Sequence, residues 1–392
     1  MLLLDLTHTS HTQARTGVQR VARSLHAGLG NRAEPICYDH YLREWRRLAG
    51  WERSNLAANG SAAVKRGAKW PWSAQVAGKW RRKLGWGPGP GRRLPDGATG
   101  LIMPEFFSPA VGAAVPGLRA HLQGPAIAVF HDAIALRLPE ISPVRTVGRY
   151  PGYLQELLQF DGIAATTADT RETLVDYWKW LRVENPPPVE TIRLGVDPIA
   201  PGVAQPLPTD LQEPTILCVG TIEGRKNHLA LLEACETLWA KGRRFRLHLI
   251  GMALAETGSR ALARIRDLQA AGRPLRYDGP VDDDALHAAY AACAFTVYPS
   301  LMEGFGIPVI ESLEHGRPCI CSGRGALGES ARGGGCVPLD AVDPGSLAAA
   351  IGALLGEPAR IAALAHEAEH RSFPTWSDYT RGIADWLDTL KR

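Results

Sequence analysis

The sequence predicts an α/β protein made of two parallel-sheet units, on three observations. Its 392 residues suffice for two or three domains at about 150 residues each. Both halves alternate short apolar runs with helix-period stretches, the pattern of parallel βαβ units. Pro186, Pro187 and Pro188, followed by RLGVDPIAPG at 193–202, mark a break and an interdomain linker. Composition agrees: 45% hydrophobic and 21% charged residues support a folded core. With 41 Gly and 29 Pro, the chain stays below the about 25–30% that marks low-complexity sequences.

In the first half, residues 2–6 (LLLDL) read as a strand. A helix follows from about Gly17, with Val18, Val21, Ala22, Leu25 and Leu29 on one face. Further strands are predicted at 101–103, 126–130 and 162–166. The second half is more regular, with buried strands predicted at 215–219, 245–250, 275–277, 295–298 and 318–321, and another starting at Cys336. Gly220 and Gly251 directly follow their strands, where ligands approach open α/β sheets at the carboxyl ends. No internal repeat is found.

The apolar run MLLL stops at Asp5 without a preceding basic stretch, so no signal peptide is expected. No window holds the about 20 apolar residues of a membrane-spanning helix. The seven cysteines form no CxxC pair, which predicts reduced core thiols and a cytoplasmic protein.

The formal charge of +4 hides a local extreme. Residues 43–93 hold 13 Lys/Arg against Glu44 and Glu52, and six of the eleven tryptophans. Indole sits at membrane headgroups, and each basic residue near an anionic surface adds about 1 kcal/mol. An anionic membrane surface, the inner face of the cytoplasmic membrane, is therefore the expected partner of this segment; a solvated loop with a few packed tryptophans is the plainer alternative. Nothing resembles a nucleic-acid-binding motif, so no nucleic acid is expected.

Two segments carry chemistry. In VGTIEGRKNHLALLEA (219–234) a turn presents Arg225 and Lys226, with Asn227 placed to cap a helix starting near Leu229. Two fixed cations beside a helix N-terminus suit a diphosphate. In YPSLMEGFGIPVIESLEHG (298–316), Pro308 fits a first helical position and Gly316 a terminator. Gly304 and Gly306 leave backbone N–H groups open to an anion. Glu303 in the loop and Glu311 in the first helical turn can face one crevice. A carboxylate accepts two hydroxyls at once, as vicinal diols require. Each segment also has an ordinary reading, a solvated basic turn in one case and helix-start acids in the other.

Together, GTIEGRKN and EGFGIPVIE resemble the retaining GT-B glycosyltransferases, specifically the large fourth family of nucleotide-sugar hexosyltransferases. With FHDAI (130–134), the chain is most similar to bacterial mannosyltransferases of cell-surface polysaccharide and lipopolysaccharide assembly. The resemblance implies two Rossmann-like domains facing a central cleft. The first spans 1–195 with 43–93 inserted, the second 196–372, and a terminal helix at 373–392 crosses back. It implies that Arg225 and Lys226 hold the donor diphosphate and stabilise the leaving nucleotide, that Glu303 binds donor-sugar hydroxyls, and that Glu311 holds the ribose. The backbone of Gly304, Phe305 and Gly306 would face sugar and phosphate, and YDGPV, with Asp278 and Val281, would lie near the base. His131 would sit near the reacting carbons, oriented by Asp132, and Gly17 beside the phosphate.

The chain departs from the family at Gln19, where many members have a second glycine, and at Gly224, which replaces a common proline. TTADTRETL (166–174) also departs, and no site is assigned there. The implied reaction moves a hexose, first choice mannose from GDP-mannose, to a saccharide or lipid-linked acceptor, with no metal and no cofactor. A GT-B epimerase or phosphorylase, or a catalytically silent carbohydrate- or membrane-binding protein of the same fold, are the alternatives. Two look-alike motifs are set aside. Asp282–Asp284 read as helix-start residues rather than a metal site, and GRGALG (323–328) is too close to the strand at Cys336 for a dinucleotide crossover helix.

Overall fold

The computed structural model describes residues 1–14, 17–57, 69–197, 206–208 and 213–391. The end of the expected linker, 198–202, part of the insertion, 58–68, and Arg15 and Thr16 lie outside the described residues.

Two sheets form two α/β units. The first contains β1 (Leu2–Asp5), β2 (Ala33–Asp39), β3 (Glu44–Arg47), β4 (Gly100–Met103), β5 (Ala126–Phe130), β6 (Gly162–Ala165) and β7 (Val189–Thr191), in the order β3-β2-β1-β4-β5-β6-β7. All its neighbours pair in parallel except β3, which runs antiparallel to β2. The second sheet is wholly parallel. It comprises β8 (Thr215–Val219), β9 (Arg246–Ile250), β10 (Leu275–Tyr277), β11 (Phe295–Tyr298), β12 (Cys319–Ser322) and β13 (Cys336–Leu339), in the order β10-β9-β8-β11-β12-β13. In each sheet the order reverses beside the first strand, between β1 and β4 and between β8 and β11. That reversal opens a crevice at the strand carboxyl ends, and the two crevices face each other.

The helix Gly17–Leu29 buries Val21, Ala22, Leu25 and Leu29 as its periodicity predicts. Val18, expected on that face, is only half-buried, and Gln19 is buried instead. The last helix, Trp376–Thr389, starts on a reciprocal cap between Thr375 and Asp378. It packs Tyr379, Ile383 and Leu387 against Leu4, Val21 and Leu25 of the first unit, so it does cross back. Strands β2, β3 and β7 are additional to those that the apolar runs predict. GRGALG also behaves differently from expectation: the seven-residue helix Gly325–Ala331 does fit between parallel β12 and β13.

The insertion is structured where it is described. It supplies β3 and the helices Gly50–Ala57 and Trp72–Lys83, so it is not a solvated loop. A buried ionic knot holds it. Arg46 donates to Asp39 (2.8 Å) and with both terminal nitrogens to Glu52 (2.7 and 2.8 Å), and His11 Nε2 reaches Glu52 at 2.8 Å. Burial would raise the Glu52 carboxyl, but Arg46 and His11 outweigh it and hold it at about 2. The ring of Trp70 stacks on His11 at 4.0 Å. All seven cysteines are buried and free. Among the described residues no single helix is long and apolar enough to cross a membrane.

Candidate active site

At the first switch point of the second sheet, β8 ends at Val219 and Gly220 turns the chain with φ 156°. A short 3-10 turn, Gly224–Lys226, then carries both cations, and the helix His228–Ala240 follows. Asn227 stands at the cap position but in the left-handed region (φ 55°). Its side chain makes no cap and donates to Val342 O at 2.7 Å. Gly224 abuts Ile141 of the first unit, where an added Cβ would lie 3.2 Å from the Ile141 Cβ, so the glycine admits the neighbouring unit.

The second segment leaves β11 and comes back to the same place: Leu301 N donates to Arg225 O at 2.9 Å. Its helix is Ile307–Glu314, so Pro308 is the second helical residue rather than the first and Glu311 lies in the second turn. Gly306 takes φ 96° at the helix start and Gly316 φ 66° just past its end. Arg317 N donating to Ser312 O closes that end in the Schellman manner.

These loops bring Arg225, Lys226 and Glu303 into contact. Arg225 bonds Glu303 at 2.5 Å and Glu223 at 2.8 Å, while Lys226 Nζ meets Glu303 at 2.7 Å. Lys226 also donates to the Tyr298 hydroxyl and lies 4.6 Å from that ring's centroid. Burial would raise the Glu303 carboxyl, yet the two cations outweigh it and hold it at about 2. For Lys226, burial and then the neighbouring Arg225 pull the ammonium below its ordinary value, with Glu303 opposing. Directly behind, His228 is buried, and burial with Lys226 lowers its imidazole to about 3. It stays neutral beside the two cations.

Glu311 is held apart from this cluster. Its Oε1 accepts from Arg20 of the first unit at 2.7 Å, and its Oε2 from the Tyr290 hydroxyl at 3.3 Å. His131 follows β5, and its Nε2 lies 2.6 Å from Pro104 O. A carbonyl only accepts, so Nε2 carries the proton. Burial lowers this imidazole, leaving it neutral near pH 7. Asp132 does not orient it by a hydrogen bond, because its Oδ1 accepts from Ile134 N at 3.0 Å.

A cavity of about 470 Å³ between the sheets is lined by Gly17, His131, Arg225, Lys226, Val281, Glu303, Gly304, Phe305, Gly306 and Glu311. Asp278 is the exception among the expected residues. It is drawn away to His248 (2.9 Å) and Arg276 (2.7 Å) and does not line the cavity. The far wall is apolar, with Met252, Pro280, Val281 and Leu286. Cavities of about 300–1,000 Å³ suit small-molecule ligands.

A clasp that no local residue pattern predicts joins the two units. Thr166, Thr167 and Thr170 of the first unit all donate hydroxyls to Gly304 O, at 2.8, 3.2 and 3.3 Å. Glu329 accepts from Ala168 N and Asp169 N at the start of the helix Ala168–Trp180. The sole sequence signal was that TTADTRETL departs from the family pattern.

Comparison with known proteins agrees with this geometry. Residues 213–357 match the family model "Glycosyl transferases group 1". The chain is similar to serotype-specific mannosyltransferase WbdA of Escherichia coli, 25% identical over 81% of the chain and 38% of WbdA. It is also similar to O-antigen chain mannosyltransferase B of E. coli, 30% identical over 52% of the chain and 54% of that relative. The chain thus spans between about two fifths and half of the length of these relatives. Among solved structures, Anabaena HepE in complex with UDP and glucose superposes with a TM-score of 0.68 at 14% identity, covering 99% of both chains. Sucrose-phosphate synthase from Thermosynechococcus elongatus gives 0.64 at 17% identity, covering 99% of this chain and 98% of its own. The chain therefore has the GT-B fold, and its residues 213–357 match the model of the group 1 glycosyl transferases.

Proposed function

We propose that the chain is a retaining hexosyltransferase that moves mannose from GDP-mannose to a saccharide or lipid-linked acceptor in cell-surface polysaccharide assembly. The observation that carries the reading is the side-by-side placement of Arg225 and Lys226 at the switch point, both turned onto Glu303. Arg has five N–H donors and Lys three, so both can serve phosphate oxygens while still touching Glu303. Glu303 would then have lone pairs for the hydroxyls of the hexose. The names of the similar E. coli mannosyltransferases support the choice of sugar.

In the reaction, the bond from the anomeric carbon to the phosphate oxygen breaks and one to the acceptor oxygen forms on the same face. The acceptor proton passes to the departing phosphate, and Arg225 and Lys226 stabilise the charge that develops there. No protein nucleophile takes part. Neutral His131, fixed by Pro104, lies on the opposite wall.

Charge-assisted bonds are worth about 1.5–3 kcal/mol, so Arg225→Ala or Lys226→Ala should each lower kcat/KM about 10- to 100-fold. Each substitution also removes a partner of the buried Glu303 carboxylate, so the thermal midpoint should fall as well, and folding is checked before kinetics are compared. Unchanged kinetics in the double variant would end the diphosphate assignment. Screening nucleoside diphosphate sugars by thermal shift identifies the donor, since a ligand at about 100 times its Kd stabilises by about 2.7 kcal/mol. Release of the intact nucleoside diphosphate on transfer excludes an epimerase or phosphorylase; binding without turnover on any acceptor indicates a silent protein.

Metal independence is part of the proposal. Asp282 accepts from Ala285 N at 2.9 Å and starts the helix Asp283–Ala292, so it serves as a helix cap. Activity should survive EDTA; complete loss reversed by Mn²⁺ alone would reinstate these acids as a metal site.

A further inference from the structure

The six tryptophans of the insertion divide into two groups. Trp45 is buried against the first core, and Trp51 and Trp70 pack around His11. Trp72, Trp80 and Trp86 face outward, 77%, 57% and 60% exposed, together with Leu84. Trp72, Lys79, Trp80 and Lys83 follow i, i+7, i+8, i+11 spacing and share one side of the helix Trp72–Lys83. The Lys83 ammonium lies 5.5 Å from the Trp80 ring centroid. Residues 69–93 contain seven Lys/Arg and no acid at all.

The patch is built, not loose. Gly78 lets the helix press against the insertion's own base, because a Cβ there would lie 2.8 Å from the Tyr41 Cβ. Arg81 turns inward and donates to Gly87 O at 3.2 Å, and Trp86 N donates to Arg81 O at 2.8 Å, fixing the turn that presents Trp86. Large indoles held in water beside unneutralised cations leave an apolar surface and a charge unsatisfied together. One surface satisfies both, with acyl chains and glycerol for the rings and phosphates for the cations.

We propose that the outer side of the helix Trp72–Lys83 and the turn through Trp86 dock the protein onto an anionic phospholipid bilayer. The patch lies beyond the carboxyl end of β2, and Lys69 N donates to His11 O at 2.7 Å in the segment that follows β1. Both strands end on the cleft side of the first sheet, so docking holds that side toward the bilayer. An acceptor carried by the membrane would meet the cleft there.

Co-sedimentation of the whole chain with vesicles tests this. It should pellet with equal parts phosphatidylcholine and phosphatidylglycerol at low ionic strength, and not with phosphatidylcholine alone. The triple variant Lys79→Gln, Arg82→Gln, Lys83→Gln should lower partitioning about 100-fold, equivalent to about 2.7 kcal/mol at about 1 kcal/mol per cation. Trp72→Ser with Trp80→Ser should lower it at high salt as well, where charge is screened. Far-UV circular dichroism and thermal midpoints confirm that both variants fold. No pelleting, equal pelleting with neutral vesicles, or wild-type binding by both variants overturns the proposal; a protein or nucleic-acid partner would give the first result. The assay does not read sugar transfer, so its failure leaves the transferase reading standing.

Discussion

Glu303 and Glu311 stand eight residues apart in sequence, yet their surroundings give them different work. Glu303 sits in a loop with a guanidinium and an ammonium on its two oxygens. Glu311 sits on a helix with one oxygen on Arg20 and the other on a tyrosine hydroxyl. If Glu311 grips the ribose, Glu311→Ala should weaken free nucleoside diphosphate binding about 10- to 100-fold, the worth of about 1.5–3 kcal/mol for bonds to a charged acceptor. Glu303→Ala should leave that binding nearly intact, because the sugar hydroxyls it would serve are absent from the free nucleotide, but transfer should fall sharply. Calorimetry on both variants decides the division, and equal losses of nucleotide affinity would refute it. Both glutamates were legible in the sequence because glycines and a proline fix the loop and helix around them. Asp278 was misplaced because its contacts, His248 and Arg276, act through side-chain charge that the YDGPV pattern does not encode.

At the scale of elements, legibility follows how local the cause is. The strands of the second sheet are short apolar runs, several stopped by glycine, and each could be read from its own residues. Strand β2 carries Pro35 and a polar end, while β3 reads EWRR and looks like a surface turn. What makes β3 a strand is non-local: Trp45 reaches the core cluster, and Arg46 finds Asp39, Glu52 and, through Glu52, His11. Breaking a buried ion pair from one side costs about 3–5 kcal/mol, because the remaining charge is stranded. Glu52→Ala should therefore lower the urea midpoint of the first unit and release the stacked Trp70, seen as a red-shifted tryptophan emission. Nucleotide binding in the second unit should be spared. Retained stability in this variant would mean that apolar packing alone holds the insertion. Thr166 and Thr167 escaped notice for the same reason, since their shared partner is a carbonyl about 140 residues away.

At the scale of the whole molecule, the two units touch on both sides of the cleft. The Val196–Thr375 bridge and the helix Trp376–Thr389 tie them at the back. Across the mouth, the threonine clasp on Gly304, the Glu329 contacts and the Arg20–Glu311 pair bring the walls together. Gly304 decides how close they come. Its φ is not positive, so the residue is glycine for space and not for backbone freedom. A Cβ there would lie 2.0 Å from His131 O and 2.9 Å from the Asp132 Cβ, and the first of these is backbone that no rotamer change can move. Gly304→Ala must therefore part the units by about the missing 1 Å, given an ordinary contact above about 3 Å. Reacting groups displaced by about 1 Å lose on the order of 100-fold in rate. Arg225, Lys226 and Glu311 all lie on the second unit, so nucleoside diphosphate affinity should change far less than turnover. Small-angle scattering should show a larger radius of gyration for the variant, and kcat should fall while the calorimetric Kd moves little. A variant that turns over at the wild-type rate would show that transfer does not require the walls to meet at Gly304.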